Sequence, residues 1–164
     1  TWLQHPLLNG NTASPYLLFH AVGVDGLAFD EDKENLYLGN LDYGRLIRVP
    51  VRYNGSAGTP VVVASDPKLA GIDGFAFDHD GTIFAAINGQ DHFVSISSSG
   101  VITDRYAGLP LDGPSSVAFG TTPGTQKTLY IISGAFLRTF GLQSGTPHPA
   151  MLSTPTEDRG LCLP

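Results

Sequence analysis

The sequence predicts an all-β fold built from short repeats, and three observations support this fold class. Residues 23–30 (Gly-Val-Asp-Gly-Leu-Ala-Phe-Asp) recur almost letter for letter at residues 71–78 and more faintly at residues 113–120. The copies start at residues 23, 71 and 113, so their spacings are 48 and 42 residues, which is typical of propeller blades. The chain also contains 20 Gly and 12 Pro, which favours many turns between short strands over long helices. We therefore predict a β-propeller with three four-stranded blades in this chain.

The individual strands are predicted from apolar residues that alternate at period two and from turn residues between them. In the second repeat, Phe75 and Phe77 alternate with smaller residues, and Asp80-Gly81 supplies a hairpin turn. The predicted strands are residues 2–8 before the repeats, then 24–29, 35–40, 44–51 and 59–65, then 72–77, 82–87, 92–97 and 101–106, and finally 115–119, 128–133, 136–141 and 148–153.

These strands divide one propeller domain into consecutive units. They are residues 1–22 (outer strand of a preceding blade and lead-in), 23–70 (blade 1), 71–112 (blade 2), 113–153 (blade 3) and 154–164 (C-terminal tail). Three blades do not close a ring, because a closed propeller needs about four blades or more to bury its sheet faces. A second copy, another polypeptide or a missing N-terminal half would complete the ring. A chain that starts within an outer strand favours the last two.

Phe29, Phe77 and Phe119 stand at equivalent places in the three repeats. We expect these side chains to pack between adjacent blades, because propeller blades bury their faces against each other. The outermost faces of three blades would then have no neighbour within the chain.

Composition and charge exclude several kinds of partner. The formal net charge is −6, and the nine basic residues are scattered singly, so we expect neither nucleic acid nor an anionic membrane as a partner. No apolar run approaches the roughly 20 residues that span a bilayer. The single cysteine, Cys162, excludes a disulfide within this sequence and is either an inert thiol or one that pairs with another chain or a missing segment. Asn54-Gly55-Ser56 is a glycosylation sequon that favours secretion, although such triplets also arise by chance.

The residues of these repeats resemble a known family. The pattern Gly-x-Asp-Gly-x-Ala-Phe-Asp, Leu-Tyr-x-x-Asn and Gly-Arg-Leu-Ile-Arg-Val over residues 23–49 resembles the regucalcin/gluconolactonase-like (senescence-marker-protein-like) six-bladed propellers. The resemblance extends through residues 71–98 and continues at 115–120 and 129–133, covers about residues 1–140, and is nearest to the family's secreted fungal branch. It implies that this chain corresponds to the C-terminal half of such a ring. NHL-type and strictosidine-synthase-like propellers share much of the pattern.

The resemblance implies a divalent metal at the axis of the ring. The family holds it with a Glu from an early blade, an Asn before Gly and an Asp before Gly. Asp73 matches that Asp, which implies that it is a metal ligand and the general base for lactone hydrolysis. Asp25 stands where the family has Asn, and the early-blade Glu has no counterpart in this sequence. By this resemblance the chain holds part of a metal site.

The residues themselves lead to a compatible expectation. Asp25 and Asp73 begin the innermost predicted strands, so both should face the mouth of the central channel, and oxygen ligands suit calcium better than zinc. Asn40 and Asn88 each follow their Asp by 15 residues and are candidates for substrate binding at the same mouth. The alternative is local: Asp-Gly makes the turn into each strand through an Asx-type hydrogen bond, and Asn88-Gly89 is an ordinary turn.

We therefore expect a metal-dependent lactonase-like or esterase-like hydrolase of a small molecule. The alternative is a non-enzymatic propeller that binds a small ligand or a protein partner over the channel, since the fold alone does not decide between them. Ser115, Ser116 and Ser133 lack a nucleophile-elbow motif, and no Gly-rich loop leads into a helix, so covalent serine catalysis and nucleotide binding are not indicated.

Overall fold

A computed structural model describes residues 1–14 and 21–161, which form three antiparallel sheets. The strands are β1 (Val24–Phe29), β2 (Asn35–Asn40), β3 (Arg45–Pro50) and β4 (Val61–Ser65) in the first sheet, β5 (Ile72–Phe77), β6 (Ile83–Ile87), β7 (His92–Ile96) and β8 (Ile102–Ala107) in the second, and β9 (Pro114–Phe119), β10 (Thr128–Ser133) and β11 (Ala150–Pro155) in the third. Each sheet pairs its strands in chain order, as in a propeller blade. The predicted all-β propeller class is confirmed.

The third sheet has three strands in the described part of the chain, and the strand predicted at residues 136–141 is wrong. A short helix, α1 (Phe136–Thr139), occupies that segment. Ala135 has φ +51, and the backbone N–H groups of Thr139 and Phe140 donate to the carbonyls of Ala135 and Phe136, so the chain turns away from the sheet. No helix within residues 1–14 and 21–161 has the length and apolarity to cross a bilayer.

The strand predicted at residues 2–8 is also wrong. Pro6–Leu8 form a single 3₁₀ turn, because Pro6 fixes φ without needing a donor and the His5 ring accepts a hydrogen bond from the Leu7 N–H at 3.2 Å. Leu3, Leu7 and Leu8 pack as side chains on the first sheet, against Leu38, Ile47 and Val49. The segment therefore covers a sheet face instead of extending a sheet.

Aromatic pairs join neighbouring sheets, as the repeat pattern predicted. Phe77 meets Tyr37 of the first sheet edge-on, with ring centroids 4.9 Å apart, and Phe119 meets Phe84 of the second sheet in the same manner at 5.7 Å. Phe77 and Phe119 are buried at 6% and 7% exposure, whereas Phe29 is 40% exposed. The equivalence of the three positions is therefore confirmed, and Phe29 has no preceding sheet to pack against within the described residues.

The innermost strands β1, β5 and β9 pass close to one another because of two glycines. A Cβ on Gly26 would lie 2.0 Å from the carbonyl oxygen of Asp73, and one on Gly74 would lie 2.8 Å from that of Ser115. Neither glycine has a positive φ, and the pairing registers shift on either side of them, which is the behaviour of a β-bulge. The Asp-Gly pairs thus mark close packing between blades, and neither glycine supplies the positive φ that a turn residue often needs.

Candidate functional site

The inner strands bring the two predicted carboxylates to the same end of the sheets. Asp25 and Asp73 are the second residues of β1 and β5, which contact each other through Gly26. Asn88 follows β6 and donates its Nδ2 to Asp73 Oδ2 over 3.4 Å. Asp25 is exposed, whereas Asp73 is half-buried. The structure therefore groups three of the four predicted site residues.

Burial and a neighbouring charge change the acidity of Asp73. Burial, first, and the nearby Asp25 carboxylate raise the pKa of Asp73, and hydrogen bonds from Asn88 and from the backbone of Gly74 offset part of the increase, so that the pKa is about 7. A carboxyl group that titrates near neutral pH exchanges protons readily, which suits a general base. Two facing carboxylates are also stabilised by a cation between them.

The raised pKa of Asp73 predicts how stability depends on pH. Because Asp73 holds its proton more tightly when folded, its contribution to stability is largest below about pH 4 and declines as pH rises toward 7. Asp73→Asn should remove this decline, so the variant should gain about 2 kcal/mol relative to wild type between pH 4 and pH 8. A fully enclosed carboxyl group with the same rise in pKa would give about twice this free energy, but solvent screens the partly exposed Asp73.

Chemical denaturation in the presence of a chelator, at several pH values, measures this effect. Part of the slope should persist in the variant, because burial also raises the pKa of Asp78. Asp32→Asn, an exposed change in the loop between β1 and β2, serves as the control. An unchanged slope in the Asp73 variant would contradict the assignment.

Asn88 offers the site an unused acceptor. The residue is buried and begins a 3₁₀ turn, Asn88–Gln90, so the turn that was the local alternative does form. Its Nδ2 faces Asp73 and, at 3.5 Å, the carbonyl oxygen of Gly113, but its Oδ1 is buried without a hydrogen-bond partner. Buried acceptors are normally paired, so this oxygen is available to a cation or to a ligand donor.

Asn40 has a different environment. Its side chain is fully buried, and Nδ2 donates to the carbonyl oxygens of Leu7 and Asn9, each at 3.0 Å. Its Oδ1 accepts from the Tyr43 N–H at 3.2 Å. The amide therefore anchors the N-terminal segment to the first sheet, and we place no substrate contact on Asn40.

The oxygen atoms at the site are of the type that a hard cation prefers, but they are few. Asp25, Asp73 and Asn88 Oδ1 provide oxygen atoms, which calcium and magnesium prefer and which zinc favours less. Within residues 1–14 and 21–161, no three His, Cys, Asp or Glu side chains cluster as a metal site would require. The residues present therefore supply at most part of a coordination sphere, and the metal site stays a prediction.

A buried ion cluster beside the site was not predicted from the sequence. Arg138 of α1 donates to Asp112 and, at 2.9 Å, to Asp91, and both aspartates are buried. These carboxylates, Asp91 first, raise the pKa of Arg138 and keep it charged. Asp91 also accepts from the Gly113 N–H, and Asp112 from the His148 N–H, each at 2.8 Å. Pairing across 26 and 47 residues leaves no periodic signal in a sequence.

This cluster fixes α1 next to Asn88. A Cβ placed on Gly113 would lie 3.4 Å from the Phe136 N and 3.7 Å from Asn88 Oδ1, so the start of α1 borders the unpaired amide oxygen. The loop between β10 and β11 thus forms one wall of the site.

A separate concavity lies between the second and third sheets. Its volume is about 850 Å³, its apolar wall includes Phe84, Phe93 and Leu152, and Asp78 and Asp158 line it as well. Asp25, Asp73 and Asn88 do not line it, so it is distinct from the candidate site.

Fold and site together define the chain as part of a β-propeller with a carboxylate pair at one end of its inner strands. Residues 8–135 match the family described as the SMP-30/Gluconolactonase/LRE-like region, and the chain belongs to this family. The family resemblance is therefore confirmed, whereas the secreted fungal branch stays a prediction. No curated protein matches the sequence.

Solved structures support the same fold. A luciferin-regenerating enzyme is 22% identical, with a TM-score of 0.66, 86% of this chain covered and 48% of that one. Regucalcin, a calcium-binding protein from Agrobacterium tumefaciens, is 20% identical, with a TM-score of 0.59, and the match covers 84% of this chain and 46% of that one. A chain of a nidogen/laminin complex is 20% identical, with a TM-score of 0.62, and the match covers 88% of this chain and 50% of that one. The chain thus spans about half the length of these structures, and at such identities the likeness establishes the fold.

Proposed function

We propose that this chain contributes part of a metal-dependent lactonase-like or esterase-like site at the mouth of the propeller channel. The observation that carries the proposal is the half-buried Asp73, whose pKa is about 7. It lies near the Asp25 carboxylate and accepts a hydrogen bond from the buried amide of Asn88. Family membership supports a lactonase type of chemistry. The oxygen donors favour calcium over zinc as the cofactor.

The residues have distinct proposed roles. Asp73 accepts a proton from a water molecule that attacks the ester or lactone carbonyl, a task suited to a group that titrates near the working pH. Asn88 holds Asp73 through Nδ2 and turns Oδ1 to the incoming group, while Asp25 adds negative charge beside Asp73. A bound divalent ion would supply Lewis acidity toward the carbonyl oxygen.

The test is hydrolysis of a small sugar lactone, followed by acid release in a pH-stat with calcium, magnesium, manganese or zinc, and with a chelator. Asp73→Asn should lower kcat/KM by about 100-fold or more, because loss of a general base typically costs two to four orders of magnitude. Asp80→Asn, on an exposed hairpin, should leave the rate unchanged. Wild-type activity in the Asp73 variant, or a hydrolysis rate that the chelator does not change, would contradict the proposal.

The second candidate is a propeller that binds a small ligand or a protein over the channel without turnover. The comparable likeness to a chain of a nidogen/laminin complex is consistent with it, since the fold serves enzymes and binding proteins alike. The metal series separates the two, because binding without turnover releases no acid.

A further inference from the structure

Going beyond the proposed function, we propose that a second cavity of this chain binds a small zwitterion of the α-amino-acid type, whose carboxylate contacts Arg48 and whose ammonium group contacts Asp78. The cavity has a volume of about 310 Å³ and lies between the first and second sheets, which both have four strands. Its lining includes the residues that follow the ends of β1 and β5. It therefore lies at the opposite end of these strands from Asp25 and Asp73. We call it the charged cavity.

Arg48 is a half-buried cation without a partner in the described part of the chain. It is the cross-strand partner of Tyr37, whose ring meets Phe77, so Arg48 lies on the face of the first sheet that packs on the second. Its Nε is buried and has no hydrogen-bond acceptor, and none of the ion pairs includes its guanidinium group. Buried charges in proteins are normally paired, and a guanidinium group binds a carboxylate through two parallel N–H groups. The charged cavity is thus the place where a carboxylate would bind.

Asp78 is the complementary group, a buried carboxylate without a cation. It is 5% exposed and lines the same cavity as Arg48, but the two side chains form no ion pair with each other. Its hydrogen-bond donors are the backbone N–H groups of Thr82, at 2.8 Å, and of Asp80. Burial raises the pKa of Asp78, as expected for a carboxyl group that lacks a counter-charge. A cavity lined by one unpaired charge of each sign suits a ligand that carries both charges.

The other acidic residues of the lining do not offer the same site. Asp30 uses both carboxylate oxygens to accept from the backbone and the side chain of Asn35, at 3.0 and 2.6 Å. Glu31 is paired with His79 Nδ1 at 2.6 Å. The remaining two acids are exposed to water. Because all of these acids line the cavity that contains Arg48, they would repel a purely anionic ligand, whereas a zwitterion has no net charge.

The larger concavity between the second and third sheets lacks this arrangement. Its arginine, Arg105, donates from Nε to the hydroxyl of Ser95 at 2.8 Å and therefore already has an acceptor. Asp78 borders both cavities, but the cation without an acceptor at Nε lines the charged cavity. The unpaired guanidinium group therefore selects the charged cavity as the zwitterion site.

The volume and the remaining wall of the charged cavity define the rest of the ligand. A volume of about 310 Å³ is at the lower end of the range found for small-molecule sites. Leu46, Val63 and Ile96 contribute apolar side chains to the wall. An amino acid with a small apolar side chain therefore matches the cavity in charge and in surface, and valine is a suitable probe.

The experiment measures binding to the 164-residue chain by calorimetry and saturation-transfer NMR. The probes are valine, isovalerate, which lacks the ammonium group, and isobutylamine, which lacks the carboxylate. We expect valine to bind about 10-fold or more tightly than either analogue, because a hydrogen bond to a charged group changes an equilibrium constant by about that factor or more. Loss of either charge from the ligand thus reports on its own partner in the cavity.

Two variants assign the two charges. Arg48→Met keeps the length of the stem and should weaken valine binding by about 10-fold or more, so that valine and isobutylamine bind equally. Asp78→Asn keeps an acceptor for the Thr82 N–H and should make valine and isovalerate bind equally. Arg52→Met, at an exposed arginine that follows β3, should leave valine binding unchanged.

Thermal unfolding without a probe shows whether each variant is folded. Arg48→Met should be at least as stable as wild type, because it removes a partly buried charge that has no partner to lose. Absence of valine binding at about 20 mM, which corresponds to less than about 3 kcal/mol, would overturn the proposal. Equal affinity for the three probes, or valine binding that neither Arg48→Met nor Asp78→Asn changes, would overturn it as well. None of these outcomes depends on lactone hydrolysis.

Discussion

Arg138→Met is expected to lower the free energy of unfolding by about 3–5 kcal/mol, the usual cost of removing one partner from a buried ion pair. The reason is that Asp112 is fully buried and Asp91 is 7% exposed, so both carboxylates would lose their common cation without gaining water. Met preserves most of the length and packing of the arginine stem. Urea or thermal unfolding at neutral pH measures the difference.

A second variant shows whether charge is the cause. Adding Asp112→Asn to Arg138→Met removes one stranded carboxylate while keeping an acceptor for the His148 N–H. The double variant should therefore be more stable than Arg138→Met alone by about 1 kcal/mol or more, because the effects of substitutions at contacting residues are not additive. Simple addition of two destabilising effects would indicate that packing of the stem, and not charge, explains the loss.

Gly26→Ala is expected to destabilise the chain by a similar amount, about 3 kcal/mol or more, although it adds a single methyl group. The added Cβ would lie 2.0 Å from the Asp73 carbonyl oxygen, a backbone atom that cannot rotate away, so β1 and β5 must separate. Overpacking of a tight interior typically costs 1–3 kcal/mol, and this contact is shorter than ordinary overpacking produces. Denaturant unfolding measures the loss.

Gly134→Ala is the matched control. A Cβ there meets nothing within 4 Å, and Gly134 has no positive φ, so the change should stay within about 0.5 kcal/mol. The Gly26 variant should also shift the titration of Asp73, because the clash falls on that residue. Equal stability of the two alanine variants would show that the inner strands are not packed as closely as described.

The strands within the repeats could be predicted because their signals are local. Phe75 and Phe77 alternate with small residues and lie in β5, while Asp80-Gly81 and Ser99-Gly100 lie in the turns between consecutive strands. The helix at Phe136–Thr139 could not be predicted in this way. Its residues are apolar enough for a strand, and the distant Asp91 and Asp112 hold Arg138 in place.

The N-terminal segment shows the same limit. Leu3, Leu7 and Leu8 have the composition of a strand, but no partner strand lies beside them in the described residues, and the Asn40 amide holds the backbone at residues 7 and 9. Cys162, the single cysteine of the sequence, lies outside the described residues.

For the site, the sequence by itself determined the residue types and the repeat position: an acid at the second place of two inner strands, with Asn 15 residues later. Only the tertiary structure decided which members act together. Burial and the charge of Asp25 raise the pKa of Asp73, and the amide oxygen of Asn88 is buried without a hydrogen-bond partner. Asn40, at the equivalent spacing, is instead fully used by backbone groups. Residue spacing fixes position along a strand, but burial and pairing depend on the neighbouring sheet, which only the folded chain supplies.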